Sequence, residues 1–255
     1  MNATRRALLD TLAGRIRGLE RPGSEGPVRS YISTQINELD ELLPGRGWAL
    51  GALTEILSEE GTAALTLALT TAKGLIERGS AWAVVDPDCT FYPPAAAALG
   101  LDLKRLILLR PQPKHVGWCF TQVLRCAEIG AGFLTTRSGD NMFYRRFQLA
   151  VERGGGHGFI VRPTAAVRKP CWAAVRLRVV APDDVADAAL SISAPRRTVH
   201  VKVLHLRGGA AQRRASAAFS LAPLAPLAPL APLALPPPSS PCVSQLMTLT
   251  GLTGS

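Results

Sequence analysis

The residues whose spacing comes nearest to a known chemistry are Gly61, Thr62 and Ala63, where an apolar run, Leu53 to Leu57, gives way to an Ala/Leu-rich stretch. A strand, a tight turn and a helix in that order form a phosphate-binding loop when the turn reads G-x-x-x-x-G-K-[ST]. Its glycines let backbone N–H groups curl around phosphate, its Lys meets the β- and γ-phosphates, and its hydroxyl holds Mg²⁺. Here Thr62 stands in the Lys position and Ala63 in the hydroxyl position, and the turn from Ser58 carries Glu59 and Glu60. Two carboxylates repel a triphosphate, against which a helix N-terminus sets only about half a positive charge. The expectation is a nucleotide-binding skeleton whose loop is vestigial at Ser58, Gly61, Thr62 and Ala63, with no cofactor, no metal and no catalytic residue.

Other chemistries find less support. His115, His157, His200 and His205 fall in different predicted elements, and no Ser or Cys sits in a nucleophile-elbow sequence. The five cysteines, Cys89, Cys119, Cys126, Cys171 and Cys242, show neither C-x-x-C nor Cys/His ligand spacing, which predicts free thiols. The formal charge of +10 is concentrated. Residues 1–144 hold 15 basic and 15 acidic side chains, residues 145–214 hold 14 against 4, and residues 215–255 hold none. An excess confined to one segment points to nucleic acid or an acidic protein surface as partner. The candidate contacts are Arg145, Arg146, Arg162, Arg176, Arg178, Arg196, Arg197, Lys202 and Arg207. Few aromatics are interleaved with them, so stacking on single-stranded bases is not indicated.

The elements that must position these groups follow from periodicity. Leu8, Leu9, Leu12, Ile16 and Leu19 share one side of a predicted amphipathic arm, and with the Pro/Gly-rich joint at 22–27 it makes an N-terminal unit of residues 1–28. A short helix at Leu39–Leu43, closed by Pro44-Gly45, precedes the strand at 53–57 and a helix over 62–78. Ala81–Asp86 reads as a buried parallel strand ending in an acid. Strands at 105–109, 132–136 and 159–162 alternate with helices opened by Pro93-Pro94, marked by Val116, Phe120 and Val123 and capped near Gly130, and marked by Phe143, Phe147 and Val151. From Ala173 the period becomes two, with Arg176 and Arg178 on one face, and Val199, Val201 and Val203 alternate with His200 and Lys202. The pattern predicts an α/β fold, a mostly parallel sheet flanked by helices with an antiparallel C-terminal extension, over residues 29–207. Beyond it, residues 208–255 read as a disordered tail, with Leu-Ala-Pro repeated across 221–232 in a polyproline-like segment. No uninterrupted apolar stretch of about 18 residues predicts a membrane span, no signal-peptide apolar region forms, and a cytoplasmic location is expected.

Taken in order, the helix Ile36–Leu43, the turn Pro44–Trp48, the strand from Leu53, the altered loop and the strand ending at Asp86 resemble the RecA-like core. Further phrases resemble the ImuA family, the RecA-like proteins of bacterial translesion-synthesis cassettes, and more distantly the SulA family of division inhibitors. They are Asp86-Pro87 with Tyr92-Pro93-Pro94, Gly100-Leu101-Asp102-Leu103, Arg145-Arg146-Phe147-Gln148-Leu149-Ala150, Gly158-Phe159-Ile160-Val161-Arg162-Pro163 and Val175-Arg176-Leu177-Arg178. The resemblance covers about residues 30–207.

The resemblance places Asp88 where RecA proteins carry the glutamate that activates water, and Thr135 or Thr136 where a strand-end aspartate would support Mg²⁺. It implies a non-catalytic accessory protein of the DNA-damage (SOS) response, an adaptor between an error-prone polymerase and RecA. DNA contact through the basic half and self-association are further expectations. Two alternatives stay open: an ATPase with a variant loop that still uses ATP and Mg²⁺, and a SulA-like inhibitor of cell division.

Overall fold

The computed structural model describes residues 30–58, 64–136, 144–180, 197–207 and 216–221. These residues belong to one compact body built on an eight-stranded sheet. Strands β1 (Tyr31–Ile32) and β2 (Trp48–Ala49) form a separate small antiparallel pair. The main sheet takes β3 (Ala52–Ser58), β4 (Ala81–Val85), β5 (Leu106–Leu109), β6 (Ile129–Thr135), β7 (His157–Pro163), β8 (Val175–Val180), β9 (Arg197–Leu206) and β10 (Ser216–Leu221). Their order across the sheet is β5-β4-β6-β7-β3-β8-β9-β10. The first six of that order run parallel to one another, and β9 and β10 are antiparallel additions beyond β8.

The alternation of side chains along each strand divides the interior in two. On one face Ile56, Trp82, Val84, Phe133, Phe159, Leu177 and Val201 pack under α1 (Asn37–Leu42), α2 (Ala64–Thr71), α3 (Lys73–Arg78) and α4 (Pro93–Ala98). On the other, Leu53, Val85, Leu134 and Ile160 pack under α5 (Val116–Arg125) and α6 (Tyr144–Gly154). The first core is knitted by rings: Phe133 stacks on Phe159 at 5.1 Å, and Trp48 and Trp82 meet these edge-on. Each such pair contributes about 0.5–1.5 kcal/mol beyond its buried area.

Several expectations change in detail. The helix expected over 62–78 is two helices that part at Ala72, and the indole N–H of Trp48 donates to the Thr71 carbonyl at the break, 3.0 Å away. Gly130 does not cap a helix. It lies inside β6, where a Cβ would collide with the Leu75 carbonyl of α3, so a side-chain-free residue there lets helix and strand close together. The sheet also continues past residue 207: Ser216–Leu221 is β10, paired with β9 from Ser216↔Lys202 to Leu221↔Arg197. Its Ala and Ser residues, with Phe219 and Leu221 among them, carry no clear strand alternation and run straight into the Leu-Ala-Pro repeats, which is why it reads as tail. The N-terminal arm (1–28), the turn 59–63 with Gly61, Thr62 and Ala63, and the repeats from 222 onward lie outside the described residues. Among the described residues no helix is long and apolar enough to cross a membrane.

Candidate functional site

In an open parallel sheet, ligands are met at the carboxyl ends of the strands. Here that edge is formed by Ser58 of β3, Asp86 after β4, Arg110 after β5 and Thr135 of β6. Asp86 is fully buried. Its Oδ1 accepts from the Thr90 N–H (2.9 Å), the Thr90 hydroxyl (3.1 Å) and the Thr135 hydroxyl (3.2 Å), and its Oδ2 accepts from the Phe91 N–H (2.9 Å). Arg110 Nε stands 3.7 Å from Oδ2. An ionised carboxylate has about four lone-pair positions; three donors crowd Oδ1, while Oδ2 takes one and has Arg110 beside it. The strand-end acid therefore holds the loop 87–91 in place. Asp88 is carried on that same loop and is exposed. Thr135, in the position of the expected metal-supporting acid, spends its hydroxyl on Asp86.

The candidate basic residues separate into distinct environments. Arg145 and Arg146 are exposed on the first turn of α6. Lys202 and Arg207 are exposed on and just after β9, and Arg178 is half-buried on β8 opposite Lys202. Arg197 opens β9, and Arg196 lies outside the described residues. Arg162 and Arg176 correct the expectation of a single basic surface, because both are buried, at 1% and 7% exposure, around Glu55 in the middle of β3.

Three adjacent parallel strands make this arrangement. Glu55 of β3 lies in register with Arg176 of β8, and Arg162 reaches it from β7 on the other side. Arg162 Nη1 donates to Glu55 Oε1 at 2.7 Å. Arg176 Nε lies 2.7 Å from Oε2, an ion pair by distance whose N–H is not directed at the oxygen. The Arg176 guanidinium donates instead to the carbonyls of Ala166 (2.9 Å), Val167 (3.1 Å) and Lys169 (3.1 Å), pinning the turn at Thr164–Arg168 over the sheet. The Arg162 guanidinium carbon lies 5.1 Å from the Tyr144 ring centroid, and its Nε and Nη2 are buried without a hydrogen bond. Burial, and after it the Glu55 carboxylate, pushes the Cys171 thiol up to about 12. One carboxylate thus serves two buried guanidinium groups, a net positive charge held inside the protein.

A second polar cluster went unnoticed in the sequence. His157, buried in β7, has Nδ1 2.8 Å from the Ala49 carbonyl and Nε2 2.9 Å from the Thr54 hydroxyl. A carbonyl only accepts, so Nδ1 carries a proton. Burial pulls the pKa down to about 4, so near neutral pH the ring is uncharged and Nε2 accepts from the Thr54 hydroxyl. The signal for Glu55 was an acid in the midst of a buried apolar strand; for His157 it was a His followed by Gly158 and Phe159 at a strand start. Among the described residues, no three His, Cys, Asp or Glu side chains gather as a metal site. No family model matches the chain, and no curated protein matches it.

Proposed function

We propose that this protein is a RecA-like core that has given up nucleotide hydrolysis and acts as an adaptor in the DNA-damage response, bringing an error-prone polymerase to RecA-coated DNA. The observation that carries the non-catalytic part is the engagement of Asp86 with its own loop, three donors on Oδ1 and one on Oδ2, beside a loop sequence with Thr62 in place of Lys. Phosphoryl transfer depends almost wholly on positioned cations and donors. Losing several of them removes several kcal/mol of transition-state stabilisation, at about 1.4 kcal/mol per tenfold in rate. Support for the RecA-like part comes from the strand order, with the loop-bearing strand β3 central between β7 and β8 and an antiparallel pair continuing beyond β8.

The adaptor part draws on the edge strand β5. Among the described residues its Leu-Ile-Leu-Leu sequence pairs with β4 alone, and Ile107 is 40% exposed. A bare apolar edge offers backbone groups to an added strand. Thermal shift with ATP and Mg²⁺ tests the non-catalytic reading, because specific binding raises the melting temperature by mass action. An unchanged Tm is the expected result, and a saturable rise with turnover establishes the ATPase alternative. Co-purification with RecA or the polymerase, lost in Ile107→Lys, tests the adaptor. Co-purification with the division protein instead selects the inhibitor alternative.

A further inference from the structure

Arg162 spends only part of its guanidinium on the protein. Nη1 donates to Glu55 Oε1, and the guanidinium carbon lies over the Tyr144 ring, 5.1 Å from its centroid. The edge formed by Nε and Nη2 is buried and has no hydrogen-bond acceptor. That edge carries two parallel N–H groups, the fork with which an arginine grips an anion at two points. With the residue 1% exposed, bulk solvent does not serve it.

The surroundings are also one negative charge short. Arg162 and Arg176 are both cations, and among the described residues Glu55 is the one carboxylate paired with either. Two other ionisable groups act on this cluster, Tyr144 and Cys171. Burial is the largest influence on each: it raises the Tyr144 pKa and pushes the Cys171 thiol up to about 12, so near neutral pH neither a phenolate nor a thiolate supplies the missing charge. Arg176 has the carbonyl oxygens of Ala166, Val167 and Lys169 around its Nη atoms. Arg162 has only its share of Glu55, so the deficit falls on the side chain whose fork is unused. A buried charge without a counter-charge is costly, and a ligand that supplies one binds with that cost in its favour.

We propose that the Nε–Nη2 edge of Arg162 is a binding site for a small monovalent anion, chloride being the abundant example, held in the interior beside the Glu55 pair. Charge and size select the ligand. Water satisfies the two donors and leaves the positive charge as it was; a divalent oxyanion overshoots a deficit of one; and surroundings that leave Arg162 almost wholly covered admit only a compact ion. With a halide in place, two cations face two anions, and the turn that Arg176 pins and the strand that carries Arg162 share a neutral centre.

The test melts the full chain in potassium chloride mixed with potassium gluconate, so that ionic strength and surface screening stay constant. For a dissociation constant of about 5 mM, raising chloride from none to about 100 mM should lift Tm by about 4–7 °C, because a ligand bound by the folded state alone stabilises it by mass action. Bromide should replace chloride in this effect. In Arg162→Met, which leaves Glu55 and Arg176 paired one to one, Tm should no longer follow chloride. Crystals of the wild-type chain soaked in bromide should show an anomalous-scattering peak within hydrogen-bond reach of Nε and Nη2, a readout that does not depend on any variant folding. A Tm indifferent to chloride, a dependence that survives in Arg162→Met, or crystals with no bromide at that edge would each overturn the proposal and leave water or another protein group as the partner of these donors.

Discussion

Replacing Glu55 by Gln keeps the shape of the side chain and one acceptor for Arg162 but removes the only negative charge between two buried guanidinium groups. The new amide N–H₂ would also face the Arg176 Nε donor, 2.7 Å from the present Oε2. Removing one partner of a buried ion pair destabilises by about 3–5 kcal/mol, because the charge left behind is neither solvated nor paired. With Glu55 and Arg162 fully buried and two cations left uncompensated, the upper half of that range is expected. With a urea m-value of about 2–3 kcal/mol/M, the unfolding midpoint of Glu55→Gln falls by about 1.3–2.5 M at unchanged slope. The double variant Glu55→Gln with Arg162→Met recovers part of the loss, since Arg162 Nε and Nη2 have no hydrogen bonds to forfeit. A midpoint shift worth less than about 1 kcal/mol, or losses that merely add in the double variant, would refute the account of the triad.

The buried His157 makes stability depend on pH. Its folded-state pKa of about 4 lies below its ordinary 6.5, so its contribution is complete above pH 6.5 and declines as pH falls toward 4, by about 3 kcal/mol in all. Urea midpoints between pH 7 and 5 should show this slope, and His157→Gln should flatten it; equal slopes would reject the neutral-ring assignment. Thiol labelling at pH 8 should modify the exposed Cys89 and Cys126 quickly and the half-buried Cys171 hardly at all, as its raised pKa leaves almost no thiolate; fast labelling of Cys171 in the folded chain would contradict that raised pKa. Gly130→Ala drives a methyl group into the Leu75 carbonyl and should lower Tm by well over 5 °C, whereas Gly155→Ala, with φ +76 but open space around it, should cost about 1 kcal/mol. Asp86→Asn turns one of the two acceptor oxygens that hold the loop 87–91 into a donor facing donors and should raise protease sensitivity there; an unchanged digestion pattern would argue against the anchoring role.

Much of the architecture was legible because burial leaves a period. The first parallel strands read as unbroken apolar runs, but the change to alternation from Ala173 did not mark the antiparallel extension: β8 still runs parallel to β3, and the reversal comes only at β9. What stayed hidden was long-range pairing. That Arg162 and Arg176 are interior follows only once β7, β3 and β8 lie side by side, and residues 107 and 121 positions away from Glu55 carry no local mark of it. Composition counted every Arg as surface, which is the usual fate of the residue. Ala81–Asp86 was legible as a buried strand ending in an acid, and the resemblance set Asp88 in the place of the water-activating carboxylate; that Asp86 turns its oxygens onto the loop 87–91 depends on contacts that the run does not mark. Ser216–Leu221 was overlooked because alanine and serine give a strand little propensity of their own; β9 recruits it through backbone bonds.

The sheet is armoured unevenly: among the described residues, helices cover both faces at β4, β6 and β7, while β9 buries Val199, Val201 and Val203 toward the helices on one face and meets only the segment 167–171 on the other. Amide protons of β10 and β9 should therefore exchange earliest, with Glu55 acting as the seam at which such peeling halts. A chain built this way can loosen one flank to accommodate a visitor while its central strands keep their order.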